Sequence, residues 1–399
     1  MTNAEIIALA DRYLFPTYAR APLALVRGAG ARVWDADGRA YLDCFSSTVV
    51  TNLGHQHPAI TRAIETQARL ILQVSNLHYS EPQARLAERL VQRSFGDRVF
   101  LCNSGAEANE AAIKLARKYG HAEGGGRYEI ITVLNSFHGR TLATIAATGQ
   151  EKVRVGFEPA QQGFRYAAYD DLAAVEATLS PRTIAVMVEP IQGEGGIVTP
   201  APEYFHGLRA LCDRHRLLLI FDEIQTGMGR TGTFFAYEQL GITPDVMTLA
   251  KGLGNGVPIG AMLAAAPIAG VLDKGSHGST FGGNALTCAV ALAVLDVLGE
   301  EGVLAHCRAM GARLRAGLQA LAIRHPIIRA VRGRGLLVGA ELSELGGPVV
   351  ERCLARGLII NCTANTVLRI TPPLIISAEE IDEALAILCL LYTSPSPRD

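Results

Sequence analysis

The sequence predicts an α/β protein built on a largely parallel sheet, and three observations predict it. Short apolar runs recur with helix-patterned segments between them. One of these, LLLIF in the stretch LLLIFDEIQTG, is apolar without alternation, as a strand buried on both faces is. Polar residues and glycines gather where the runs stop, which is where open α/β sheets bind ligands.

From the N-terminus, MTNAEIIALADRYL reads as an amphipathic helix with acids interspersed, and lacks the charged start, apolar centre and cleavage site of a signal peptide. LVRGAGARVWDADGRAYLD has the alternation and Asp-Gly turn of a β-hairpin. Its Gly28-x-Gly30 is not a dinucleotide fingerprint, since no third glycine follows in place and no helix opens there. The strand-like runs are then RVFLC, EIITVL, TIAVMVEP, LLLIFDE, DVMTLAKG and IGAMLAAAP. GGNALTCAVALAVLDVL reads as a long buried helix. After it the composition turns to Arg-rich amphipathic helix, VRGRGLLVGAEL and GLIINCTANTVLRITPPL, a smaller α+β domain. Ser377 and Glu380 have the spacing of a capping box opening a last helix. The expected division is an N-terminal segment at 1–45 packing with the small domain, a large domain at 46–289, a small domain at 290–388, and a non-native tail at 389–399. That tail, CLLYTSPSPRD, reads like translated sequencing adapter.

Composition narrows the function. With 49% hydrophobic and 19% charged residues over 399 positions, the chain can bury a large core. Lys plus Arg (37) nearly balance Asp plus Glu (38), which leaves no basic excess for nucleic acid or an anionic membrane. The eight cysteines show no C-x-x-C and no metal-type spacing, so free thiols in a reducing cytoplasm are expected, with no metal site. No apolar run reaches the roughly 20 residues a membrane span needs.

The strand ends carry the chemistry. In order they are Asn103-Ser104-Gly105, Phe137-His138-Gly139-Arg140, Glu189 with Gln192-Gly193-Glu194, Asp222 with Gln225, and Lys251. Five successive ends with cationic, anionic and amide groups beside glycines read as one site. A lysine ending an apolar strand is a candidate Schiff-base amine, because partial burial disfavours the ammonium. An aspartate on a neighbouring strand end suits a pyridinium nitrogen, so the pair points to pyridoxal phosphate. Ser104-Gly105 opens the long helix of NSGAEANEAAIKLARKYG, where free amides and the dipole favour a phosphate.

NSGAEANEAAIKLARKY, FHGRTLAT, PIQGEGG, FDEIQTGMGRTG, LAKGLGNGVPIGAM and HGSTFGGN together resemble the class III pyridoxal-phosphate aminotransferases, nearest their acetylornithine-type members, from about Asp11 to Leu388. The resemblance implies a fold-type-I enzyme: a large domain on a mostly parallel seven-stranded sheet plus a smaller α+β domain. It implies transfer of the δ-amino group of N2-acetylornithine to 2-oxoglutarate, in a cytoplasmic homodimer with shared active sites. Lys251 would carry the cofactor and shuttle the proton, Asp222 would meet the ring nitrogen, Gln225 the phenolic oxygen, and Phe137 and Ile224 the two ring faces. Ser104, Gly105 and Ala106 would hold the phosphate, with Thr280 from the second subunit. Tyr18, Arg140, Glu194, Ser279 and Arg369 would bind substrate. Of these, Arg140 would grip the far carboxylate, and Glu194 would mask Arg369 until an α-carboxylate arrives.

Two departures matter. CFSSTVVTNLGH lacks the small residues usual in the acetylornithine members and puts Thr48 where ornithine aminotransferases carry tyrosine, which disfavours free ornithine. Ala285 stands where relatives usually have proline, an expected structural change only.

Overall fold

The computed structural model describes residues 1–122, 125–300 and 302–393. The first helix, Asn3–Tyr13, starts on a capping box: Glu5 N donates to Thr2 Oγ1 (3.3 Å) and Thr2 N to Glu5 Oε2 (2.8 Å). None of its residues is buried. The expected hairpin is a three-stranded antiparallel meander, β1 (Leu25–Ala29), β2 (Arg32–Asp35) and β3 (Ala40–Asp43). Asp35 Oδ1 closes its Asp-Gly turn by accepting the amides of Asp37 (3.1 Å) and Arg39 (2.8 Å).

The main sheet holds β4 (Arg98–Cys102), β5 (Glu129–Val133), β6 (Phe164–Ala167), β7 (Thr183–Val188), β8 (Leu218–Asp222), β9 (Val246–Leu249) and β10 (Gly260–Ala264). Its order is β4-β10-β9-β8-β7-β5-β6. β10 runs antiparallel to both its neighbours, and the remaining pairings are parallel. Every residue of β5, β7, β8 and β10 is buried, which is why these strands read as largely apolar runs. β6 escaped that reading because it is an edge strand, three of whose four residues are only half-buried. Crossover helices such as Gly105–Ala122 and Pro202–His215 cover the faces, with Ala112, Leu115, Phe205 and Leu208 fully buried under them.

The long apolar helix Ala285–Glu300 runs across position 290 and packs on Pro58–Ala68 and Glu81–Arg93. Beyond it come β11 (Ile328–Arg334), β12 (Leu337–Leu342), β13 (Leu358–Ile359), β14 (Asn361–Thr363) and β15 (Val367–Ile370). β11, β12, β15 and β14 form an antiparallel sheet in that order. β13 instead joins the N-terminal meander, pairing parallel with β3 so that Leu358 faces Leu42. Arg32 adds an ion pair to Glu383 on the last helix (Nη1 to Oε1, 3.2 Å). That helix, Ala378–Thr393, starts on the expected capping box, with Glu380 N donating to Ser377 Oγ (3.1 Å) and Ser377 N to Glu380 Oε2 (3.0 Å). It continues into the segment read as adapter-derived, and Leu391 is buried there. The rest of that segment, 394–399, lies outside the described residues. No described helix is long and apolar enough to cross a membrane.

Candidate functional site

Strands β5, β7, β8 and β9 are parallel, so their C-terminal ends open on one edge of the sheet, and a cavity of about 380 Å³ lies there. Nine of the residues to which the resemblance assigns a role line it: Ser104, Gly105, Ala106, Phe137, Arg140, Asp222, Ile224, Gln225 and Lys251. The Asp-Glu pair that ends β8 divides its work. Asp222 stays at the cavity, while Glu223 is fully inside the protein and accepts the amides of Ala236 (2.6 Å) and Tyr237 (2.8 Å). Burial pushes the Glu223 carboxyl up to about 7.

Asp222 is 3% exposed and tightly bracketed. Its Oδ2 accepts from Asn109 Nδ2 (2.8 Å) and pairs with His138 Nδ1 (2.8 Å), and Oδ1 accepts from Ile224 N (3.1 Å). The Thr248 hydroxyl donates to Asn109 Oδ1 (2.7 Å), which directs the Asn109 amide nitrogen at the carboxylate. Nε2 of His138 is buried without a hydrogen-bond partner among the described residues, while Nδ1 faces the Asp222 carboxylate. Asn109 was not among the expected site residues, and His138 was singled out only as part of a strand end, without this role. The signal was present, since Asn109 and His138 lie inside NSGAEANEAAIK and FHGR, but only the fold brings them to the end of β8.

Lys251 follows β9 with a left-handed backbone (φ 47°), a strained conformation of the kind that gathers at functional sites. It lines the cavity half-buried, and burial pushes its ammonium down to about 8, with Arg369 adding to the effect and Glu194 and Asp222 opposing it. Glu189, at the end of β7, is held well above the ordinary carboxyl range by burial and by Asp222 beside it. It accepts amides from Phe137 (3.1 Å) and Gly193 (3.3 Å), tying together two loops of the site. The Ser104 hydroxyl caps the helix that follows by accepting from Glu107 N (3.2 Å). A Cβ on Gly105 would stand 2.7 Å from Ile224 Cδ1, so only glycine lets the helix start come this close to the cavity wall.

A second cavity of about 460 Å³ shares Phe137 and Arg140 with the first and adds Glu194, Lys152 and Thr363. Behind it Arg369, 2% exposed on β15, pairs with Glu194 (Nη1 to Oε1, 2.6 Å) and donates from Nε to Asn361 Oδ1 (3.0 Å). Gln225 lies between the cavities, 3.4 Å from both Glu194 and Arg369. Burial works to raise the Glu194 carboxyl, but the guanidinium outweighs it and holds it below the ordinary range. Thr363 Oγ1 donates to the Glu194 carbonyl, anchoring that loop to β14. Arg140 is exposed, its guanidinium 5.5 Å from the Phe137 ring centre.

Three expected residues stand apart. Tyr18 is 74% exposed and lines neither cavity. Ser279 and Thr280 line a separate cavity with Glu107 and Lys114, on the far side of Asn103. Thr48 sits in a left-handed turn, Ser46 to Val49, and lines neither of the first two cavities, whereas Val50 lines the first.

The donor set fits pyridoxal phosphate. The first amides of helix Gly105–Ala122 lack intrahelical partners and suit a phosphate. Asp222 suits a protonated ring nitrogen, Gln225 a phenolic oxygen, and the low-lying amine of Lys251 an aldehyde.

Comparison with known proteins agrees. Residues 15–390 match the family model described as aminotransferase class-III. The acetylornithine aminotransferase of Caldanaerobacter subterraneus subsp. tengcongensis is 49% identical over 385 residues, spanning 96% of this chain and 98% of the relative. The solved ornithine aminotransferase of Toxoplasma gondii superposes with a TM-score of 0.95 at 35% identity, covering 98% of this chain and 95% of that one. The solved acetylornithine aminotransferase of Elizabethkingia anophelis gives 0.88 at 32% identity, covering 98% and 99%.

Proposed function

Since the chain belongs to the class III aminotransferases, we propose that it moves the δ-amino group of N2-acetylornithine to 2-oxoglutarate, with pyridoxal phosphate as cofactor, giving N-acetylglutamate 5-semialdehyde and glutamate in arginine biosynthesis. When bound, the cofactor supplies an aldehyde carbon for the amino group and a ring that draws electrons from the reacting carbon. The chain's own residues do the rest. Asp222, held in place by Asn109 and His138, would meet the ring nitrogen and favour its protonated form. The Lys251 amine, its ammonium pushed down to about 8 by burial, would take the proton from the substrate carbon and return it to the neighbouring position. Phe137 and Ile224 would hold the ring faces, Gln225 its oxygen, and Ser104 with the amides of Gly105 and Ala106 the phosphate.

The observation that carries the substrate reading is the Arg369–Glu194 pair beside Arg140. Acetylornithine brings no carboxylate next to its reacting carbon, whereas 2-oxoglutarate does. With Glu194 in place the guanidinium is satisfied and the donor half-reaction proceeds. An incoming α-carboxylate exchanges with Glu194 for the same fork of donors, while Arg140 binds the distal carboxylate of either substrate.

The likeness to ornithine aminotransferase favours a second reading with free ornithine as donor. The higher identity to the acetylornithine relatives and Thr48 in place of tyrosine weigh against it. Placing Thr280 and Tyr18 away from this protomer's cavity suits a homodimer in which they serve the partner's site, and eight free cysteines suit a reducing cytoplasm. Half-transamination with acetylornithine, succinylornithine, ornithine and 4-aminobutyrate, followed by cofactor absorbance, tests the function. Acetylornithine should react fastest, and a clear preference for ornithine would replace the reading.

A further inference from the structure

Arg230, in the stretch QTGMGRTG, is fully buried and forms no ion pair among the described residues. Its guanidinium is held by neutral oxygens from three separate segments. Nη1 donates to the carbonyls of Leu336 (3.0 Å) and Pro372 (2.6 Å), and Nη2 to Asn52 Oδ1 (2.6 Å). The Leu336 amide returns a bond to the Arg230 carbonyl (3.1 Å), so the two residues clasp each other reciprocally.

The acceptors are not scattered. Leu336 immediately precedes β12, and Pro372 follows β15 by two residues. Those strands pair with Gly339 opposite Arg369, so Arg230 grips both strands of the ladder that carries Arg369. Asn52 leads the other way. Its side-chain nitrogen donates to the Met228 carbonyl (2.9 Å) and lies 2.3 Å from where a Cβ on Gly252 would sit, so it packs directly on the residue after Lys251. Its backbone carbonyl also accepts Leu374 N (2.6 Å). One guanidinium therefore joins the strand bearing the masked arginine to the loop bearing the lysine.

A cation without a counter-ion is a poor adhesive, because desolvation opposes its burial and an apolar side chain would hold two packed surfaces together at less cost. What a planar five-donor fork on three fixed acceptors supplies is geometry. We propose that Arg230 is a positioning residue that sets Arg369 relative to Lys251 and so decides how well the site accepts an α-carboxylate. This rests on the reading of Arg369 as the α-carboxylate ligand.

The test compares the cofactor-loaded wild-type chain with Arg230→Met and Arg369→Leu. Glutarate, an unreactive five-carbon diacid, is titrated by calorimetry, and both half-reactions are measured. Arg230→Met is expected to weaken glutarate at least tenfold and raise the KM for 2-oxoglutarate by a similar factor. The acetylornithine half-reaction should change less than threefold, and the cofactor spectrum should stay the same. Unchanged glutarate affinity in a folded Arg230→Met, or equal losses in both half-reactions, overturns the proposal alone, provided Arg369→Leu abolishes glutarate binding. If Arg369→Leu also binds glutarate normally, the reading of Arg369 and the proposal fall together. Should Arg230→Met not fold, Asn52→Leu, which removes one acceptor of the guanidinium together with the side-chain donor to the Met228 carbonyl, is expected to show the same split at three- to tenfold. If that variant shows no split or does not fold either, the clasp serves only the fold and the positioning role is withdrawn.

Discussion

Replacing Glu194 by alanine should make the two half-reactions diverge, and the size of the divergence follows from the geometry. Arg369 is 2% exposed and its shortest bond, 2.6 Å, goes to Glu194. Its remaining partners are neutral amide oxygens, Asn361 at 3.0 Å and Gln225 at 3.4 Å. In the wild-type chain an α-carboxylate must displace Glu194, losing one charge-assisted bond to form another. Without the competitor that loss vanishes, and such a bond contributes about 1.5–3 kcal/mol, roughly a 10- to 100-fold gain in affinity for glutamate and 2-oxoglutarate. Acetylornithine gains nothing from a bare guanidinium beside its cationic amine, and its half-reaction should slow by about tenfold, the effect of around 1.4 kcal/mol of unscreened like charge. Breaking a buried pair also costs stability, and because Glu194 is partly exposed the loss should be about 1–3 kcal/mol, below the range for fully buried pairs. Rapid mixing of the cofactor-loaded variant with glutamate, and separately with acetylornithine, measures each half-reaction. Glu194→Gln, neutral but of similar shape, should lie between alanine and wild type. Equal losses with both donors would refute the reasoning and leave Glu194 as a support for its loop.

Lys251→Ala should abolish turnover while the folded chain still retains cofactor without a covalent bond, as absorbance after gel filtration would show; near-normal activity sinks the assignment. Asp222→Asn should lose on the order of a thousandfold in single-turnover rate. Both carboxylate oxygens already accept donors, so either orientation of an amide sets an NH₂ against Asn109 and His138 or against Ile224 N. Unchanged kinetics would mean the carboxylate only shapes the turn. In the cofactor-free chain Lys251 gives up its proton near pH 8, whereas the unfolded chain holds it to about 10.4. The unfolded state thus binds more protons between those values, and stability should rise with pH across that window; Lys251→Met should flatten the rise in denaturant titrations. If, as proposed, Thr280 serves the site of a second subunit, Thr280→Glu should raise the cofactor dissociation constant at least tenfold although Thr280 lines a separate cavity, because a carboxylate would then face that site's phosphate. Normal cofactor affinity in that variant would remove Thr280 from the shared site.

Much of this was legible in the residues alone. LLLIF and IAVMV are apolar throughout because their strands are buried on both faces, and such burial leaves an unmistakable trace in composition. Asp222 and Lys251 stood out because a parallel sheet delivers its polar residues to one edge, so that order along the chain already implies proximity in space. The capping box at Ser377 was readable because it is local, spanning three residues.

What only the tertiary structure decided lies in contacts between distant segments. Nothing in CFSSTVVTNLGH says that Asn52 bonds Arg230, 178 positions away, or that it packs on Gly252. FRYA carries too little burial at its sheet edge to announce a strand. The division of FDE, with Asp222 at the cavity and Glu223 turned inward to cap a distant turn, follows from the strand's alternation only once the register is set. Local pattern records how much of a side chain is buried and with what period. It does not record which partner does the burying, and for Asp222, Arg230 and Arg369 the partner determines what the charge can do.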